Sequence, residues 1–305
     1  MRPATLALAL ALGPTLALPP ARAGTPIDES RPLAIDGTLG IENVKGRIEV
    51  RAWDRAEVRI TGTLGEGAER LEIDGSSRAI EVRVRHPHRT GMFGGGRAAP
   101  TILLLQVPRR VDLDIDSVSA TVDIEGLAAG DWRIDSVSGD VRAVGAPREA
   151  AIETVSGRID ATLNSDEVAI ATVSGDARLG GRLAGELEVE TVSGDVRVAA
   201  NPAARLRRVS GSAVSGAITL QAALAPGAQV DMESVSGDLT LRLPADTSAQ
   251  VEASSFSGTL AAPGARVERP EHGPGSQLRA QLGAGQGEIT LETFSGDARV
   301  VVDGR

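Results

Sequence analysis

The sequence predicts an all-β chain wound as a single parallel β-solenoid, and three observations carry that prediction. A phrase of the form Val-Ser-Gly-Asp recurs along the chain, apolar and polar residues alternate on both sides of it, and no long stretch has helical periodicity. The leading residue of the phrase falls at Val118, Val137, Val155, Val173, Val192, Val214, Val235, Phe256 and Phe294. Successive steps are 18 to 22 residues, except the last, which spans 38 and covers two periods.

Counted from that marker, further columns emerge. Five residues earlier stand Leu113, Val168, Leu187, Val230, Val251 and Ile289; three earlier stand Ile115, Ile134, Ile152, Ile170, Val189, Met232 and Leu291. Four residues later come Val122, Val141, Ile159, Val196, Ile218 and Leu239, and six later Ile124, Leu179, Val198, Leu220, Leu241 and Val300. Each unit therefore reads as two short strands with one buried face, joined at a corner. The phase breaks across Val-Ser-Gly-Asp, where glycine is expected to adopt a conformation closed to other residues and Ser and Asp to satisfy turn amides. One unit cannot enclose its own apolar face, but stacked units bury it against each other.

The expected coil is about 18–21 residues, with neighbours about 4.8 Å apart, so roughly ten coils make a rod near 50 Å long. A right-handed winding follows the usual preference for parallel crossovers. The marker valines are expected to join the aliphatic core, with Ser-Gly-Asp marking the bends. Aromatic residues are only 2% of the chain, which suits coils too narrow to hold them.

Domain organisation follows in order. Residues 1–23 read as a cleaved signal peptide: Arg2, the apolar stretch ATLALALALGPTLAL, then Ala21-Arg22-Ala23 as a small-x-small cleavage site. Pro14, Pro19 and Pro20 interrupt the run and favour cleavage over a retained anchor. Residues 24–32 form an N-terminal tail. Residues 33–305 form the solenoid, with irregular coils over 33–112 and regular repeats over 113–302. Two loops leave the regular pattern, at 86–99 and, as an insertion, at 263–277; both are candidate contact surfaces. No later segment is apolar for long enough to span a bilayer. The expected location is the periplasm or the cell exterior.

Composition narrows the function. The chain holds 32 basic and 41 acidic residues, a net charge of −9, which argues against nucleic acid as a partner. With no cysteine there are no disulfides and no lipid-modified cysteine.

The start NVKGRIEVRAWDRAEV, the VSGDV array and the closing GEITLETFSGDARV resemble a bacterial family of β-strand-repeat domains of unknown function, whose members are commonly labelled putative adhesins. The resemblance covers roughly residues 33 to 302. It implies an exported β-helix, with no established catalytic residues to carry over.

The polar columns offer weak metal candidates. Asp140, Asp176, Asp195 and Asp238 stand three residues after the marker, and Asp116, Asp135, Glu153, Glu190, Glu233 and Glu292 two before it. Stacked carboxylates repel, and Ca²⁺ could relieve that. The preferred reading is a solvated face, because arginines such as Arg142, Arg178 and Arg197 intersperse with the acids and Asp has a local role in turns. Ser138, Ser156, Ser174, Ser193, Ser215 and Ser236 follow the marker and are expected to bond adjacent coils rather than order a water surface.

Enzyme chemistry is not expected. His86, His88 and His272 lie in loops without an identifiable third metal ligand, and no Gly-x-Ser-x-Gly accompanies the serines. No cofactor motif is present. The expected function is a non-catalytic binding or adhesion module of the envelope, with a surface protein or glycan as partner. The alternatives are a self-associating structural protein and, behind it, a polysaccharide-active β-helix.

Overall fold

The computed structural model describes residues 24–87, 99–269 and 274–303. The expected signal segment, most of the 86–99 loop and part of the 263–277 insertion lie outside the described residues. Within them there is no helix; strands pair into one continuous, mostly parallel sheet that wraps around an aliphatic core.

The alternation expected from the sequence sets the inner face. Leu113, Trp132, Ala150, Val168, Leu187, Val209 and Val230 pair rung upon rung through seven coils and are all buried. Across the core, Val122, Val141, Ile159, Ala177, Val196, Ile218 and Leu239 form the facing column, equally buried. Burying aliphatic side chains on both walls is the main stabilising term, at roughly 1.5–3 kcal/mol per fully buried side chain.

One aromatic residue enters this interior. Trp132 is 2% exposed and stands in the column between Leu113 and the small Ala150. Its ring lies so close to Gly145 that a Cβ there would sit 2.5 Å from it. Narrowness therefore does not forbid aromatics; it demands a residue without a side chain opposite.

Three further departures from expectation have physical causes. First, the marker residues do not join the core. Val118 through Val235, Phe256 and Phe294 all face solvent, while the residue before each marker is buried: a hydroxyl at eight of the nine (Ser117, Ser136, Thr154, Thr172, Thr191, Ser234, Ser255 and Thr293) and Ala213 before Val214. The turn explains the inversion: Thr172 Oγ1 donates to the Gly175 carbonyl at 2.9 Å and accepts from the Gly175 N–H at 3.0 Å. A buried hydroxyl whose bonds are made locally carries no desolvation penalty.

Second, the marker glycines do not adopt positive φ. They are required by close stacking, since a Cβ on Gly175 would stand nearer than 3.0 Å to the Gly157 carbonyl oxygen. The same holds for Gly139, Gly157, Gly194, Gly216, Gly237, Gly258 and Gly296, each against the coil before it in space.

Third, chain order and spatial order part company at both ends. The C-terminal coil, Gly287–Thr293 and Ala298–Val302, pairs in parallel with Ala223–Ser234 and Leu239–Leu243 on one side and with Ala249–Ser255 and Leu260–Ala261 on the other. The long 38-residue step is thus a chain that passes one coil position and returns to fill it. Thr38–Trp53 is likewise enclosed, between Asp112–Ala128 and the strands Ala79–Arg85 and Thr101–Pro108. Among the described residues antiparallel pairs occur only at these ends: Thr25–Pro32 on Glu57–Leu64, Glu57–Leu64 on Thr101–Pro108, and Arg70–Ser76 on Ala79–Arg85 at one; Ser276–Leu282 on Ala249–Ser255 at the other. A strand inside the expected insertion, Arg266–Glu268, pairs antiparallel to Ser276–Leu282. Parallel edges that would invite growth are covered in this way.

Candidate functional site

The bend that buries a hydroxyl turns the residues on either side of it outward. Residues two before the marker and the marker itself both point away from the core, so a groove runs between them along the rod. Its main body encloses about 800 Å³ and spans the coils from Val44 to Val214.

One wall is aliphatic. Serine side chains order its rungs: Ser119 Oγ donates to the Val44 carbonyl, Ser138 to Val118, and so on to Ser236 on Val214, Ser295 on Val235 and Ser257 on Phe294. The ladder is thus Val44, seven valines from Val118 to Val235, Phe294 and Phe256, each 38–57% exposed. Those ten are most of the fourteen exposed large hydrophobics among the described residues, so the stripe is not random scatter. At the far end Phe256 and Phe294 stack on each other at 4.7 Å with planes 5° apart.

The other wall is acidic. Glu42, Asp116, Asp135 and Glu153 pair in consecutive rungs; then Ala171, Glu190, Ser212, Glu233, Glu292 and Ser254 continue the line. Arg133 compensates one end, at 3.0 Å from Asp135 and 3.9 Å from Glu153. Arg83 reaches Glu42 at 3.5 Å. Asp116, Glu190, Glu233 and Glu292 have no ion pair among the described residues. Burial, followed by the neighbouring Asp114 and Asp135, pushes the Asp116 carboxyl above its ordinary value, against the pull of Arg133. Asp116 therefore holds its charge at some electrostatic cost.

The aspartates singled out as metal candidates behave differently. Asp140 Oδ1 accepts from the Arg158 N–H at 2.9 Å, Asp176 from Asp195, Asp195 from Ala217, and Asp238 from Asp297. Each spends one oxygen tying its coil to the next, so the column is a staple. Among the described residues no three His, Cys, Asp or Glu side chains converge on a metal position. His86 is the one histidine within them, and its buried Nε2 has no hydrogen-bond partner among the described residues. The serine column does bond adjacent coils, each hydroxyl donating to the marker carbonyl before it. Away from the groove Asp123 gathers Arg51 at 3.0 Å, Arg47 at 3.8 Å and Arg142 at 3.9 Å, as the interspersed arginines suggested.

With ladder, groove and coil register in place, the sequence can be set against known proteins. The pattern of the Toastrack DUF4097 family fits residues 38–301, nearly the whole described chain. The chain belongs to that family. Solved structures similar to this Toastrack chain include a "putative lipid binding protein" from Parabacteroides distasonis, 13% identical, covering 91% of this chain and 97% of that one with a TM-score of 0.54. A "putative cell adhesion protein" from Clostridium sporogenes is 11% identical over 92% and 100%, with a TM-score of 0.23. A "putative adhesin" from Bacteroides fragilis is 9% identical over 92% and 99%, with a TM-score of 0.39. At these identities the first supports the fold alone, and the lower scores of the other two carry no argument. No curated protein matches the sequence.

The groove was legible in principle. Strict alternation from five and three before the marker places the residue before it inward and the marker outward. The valine's apolar character masked that parity.

Proposed function

We propose that this Toastrack chain is an exported, non-catalytic binding module of the adhesion type, which holds an envelope or surface partner along the groove. The scaffold is taken as right-handed, with coils of about 18–21 residues. The observation that carries the reading is the unbroken exposed ladder from Val44 to Phe256 beside a wall of carboxylates. Ten rungs at about 4.8 Å make a contact line of about 43 Å, longer than a scattered surface apolar patch would be. Residues 1–23, read as an export signal, support an envelope setting. The hydroxyls next to the groove are occupied in turns and inter-coil bonds, which supports binding over nucleophilic chemistry.

The test uses purified residues 24–305, fluorescently labelled, on intact bacterial envelopes. Saturable binding is expected, weakened at least about tenfold when Val155→Thr, Val173→Thr and Val192→Thr are combined. Equal binding by the variant overturns the groove reading. Sedimentation across a concentration range examines the self-association alternative, which requires oligomers that grow with concentration. Capped ends weigh against it.

A further inference from the structure

We infer that the occupant of the groove is an extended polypeptide segment from another protein, rich in lysine or arginine and in aliphatic residues. This deepens the groove reading and rests on it. Three features of the site point to that chemistry.

The first is width. The two walls are formed by residues only two apart in each coil, whose Cα atoms lie within about 7 Å of each other. An α-helix, roughly 10–12 Å across with its side chains, would ride above such a channel, whereas a single extended chain can lie in it.

The second is charge. Seven carboxylates face the ladder (Glu42, Asp116, Asp135, Glu153, Glu190, Glu233 and Glu292); Arg83 pairs with Glu42 and Arg133 with Asp135 and Glu153, and among the described residues the other four have no ion pair. An apolar partner alone would desolvate Asp116, Glu190, Glu233 and Glu292 without pairing them. A basic one would offset the burial, and the nearby charges of Asp114 and Asp135, that together raise Asp116.

The third is symmetry, which argues against a second copy of this chain. A face-to-face two-fold dimer can set the rods antiparallel or parallel. Antiparallel rods bring acid wall against acid wall. Parallel rods bring the acid wall against the serine column, with Asp140, Asp176, Asp195 and Asp238 just beyond it. Neither places a row of cations opposite the carboxylates.

Spacing then fixes the kind of specificity. Side chains on one face of an extended peptide repeat at about 6.7 Å, while the rungs repeat at about 4.8 Å. The two coincide only after about seven rungs and five repeats, so no peptide can place a residue on every rung. The groove reads composition rather than a fixed sequence. About 13 extended residues cover its length.

Fluorescence anisotropy with labelled fourteen-residue peptides tests this. The probes are alternating Lys-Val, Glu-Val and Lys-Ser, alongside vesicles of phosphatidylglycerol and of phosphatidylcholine. The Lys-Val peptide should bind at least about tenfold more tightly than either other peptide and weaken as salt rises. It should also displace the chain from envelopes. The isosteric set Glu153→Gln, Glu190→Gln and Glu233→Gln, checked for unchanged melting, should remove the preference for Lys-Val over Glu-Val. Equal binding of Glu-Val, or a Lys-Val affinity unmoved by the glutamine set, overturns the inference. So does valine-dependent binding to vesicles without peptide preference. In each case, if envelope binding still depends on the valine ladder, the broader reading survives and only the occupant is wrong. If it does not, both fail.

Discussion

Thr172 and Val173 are adjacent in the chain and occupy opposite sides of the wall. The polar residue is buried and the aliphatic one stands in solvent, which reverses what transfer energies alone would choose. The difference teaches that hydrogen-bond satisfaction, not polarity, decides what a tight bend can bury. Thr172 closes the turn on both the N–H and the C=O of Gly175, whereas a valine in its place would leave two backbone groups poorly served. Val173 is then forced outward by the pleat, and stacking with Val155 and Val192 spares it part of the exposure.

The comparison breaks most severely at the glycine that both residues depend on. Gly175→Ala pushes a methyl against the Gly157 carbonyl, and Gly157 and Gly194 sit in identical contacts, so the strain cannot relax along the stack. A loss of about 4 kcal/mol or more is expected, read as a collapse of the thermal transition or failure to express. A near-native melting temperature would show that coils can separate locally at this corner.

Thr172→Val comes next. It is nearly isosteric and more apolar, so a naive core argument predicts stabilisation. The expected result is a loss of about 1–3 kcal/mol by denaturant titration, because the Gly175 N–H and carbonyl lose their shared partner. Stabilisation instead would mean that the hydroxyl is tolerated at this position rather than needed.

These cases show what the sequence could and could not reveal. The alternating columns through Ile152 and Ile170, or Val196 and Ile218, were readable because side-chain direction in a strand has a period of two. The serine staples followed from a short hydroxyl held beside a stacked carbonyl. The fate of Val173 was not readable from residue type, since an aliphatic marker recurring in register looks like core until the hydroxyl before it is known to be satisfied. The return of Gly287–Thr293 between two earlier coils was hidden for another reason. Spacing records how much chain separates two coils, but not on which side of its neighbour the later one lands.

Val173→Thr is the mirror of the previous substitution. It exchanges one exposed methyl for a hydroxyl, so stability should stay within about 0.5 kcal/mol of the native chain. Affinity for the Lys-Val peptide should fall several-fold in the same protein. If stability drops as much as for Thr172→Val, the ladder is part of the fold's support, and its exposure is no sign of a binding face.

The smallest expected effect concerns the opposite wall. Asp116 is pushed upward by burial and by Asp114 and Asp135, so the folded chain holds that proton more tightly than the unfolded chain does. Ionisation then subtracts stability: the penalty is absent where both states are protonated, below the ordinary aspartate value of about 3.9, and complete once pH exceeds the raised folded value. Asp116→Asn removes the charge while keeping the shape. Its melting temperature should exceed the native one slightly at pH 7, and the two should converge near pH 3. Adding Lys-Val peptide at pH 7 should then raise melting more in the native chain than in the variant, because the peptide relieves a repulsion that the variant no longer has. A variant that melts lower at pH 7 would mean that the carboxylate is held by favourable contacts, and the acidic wall would lose its claim to be waiting for a cation.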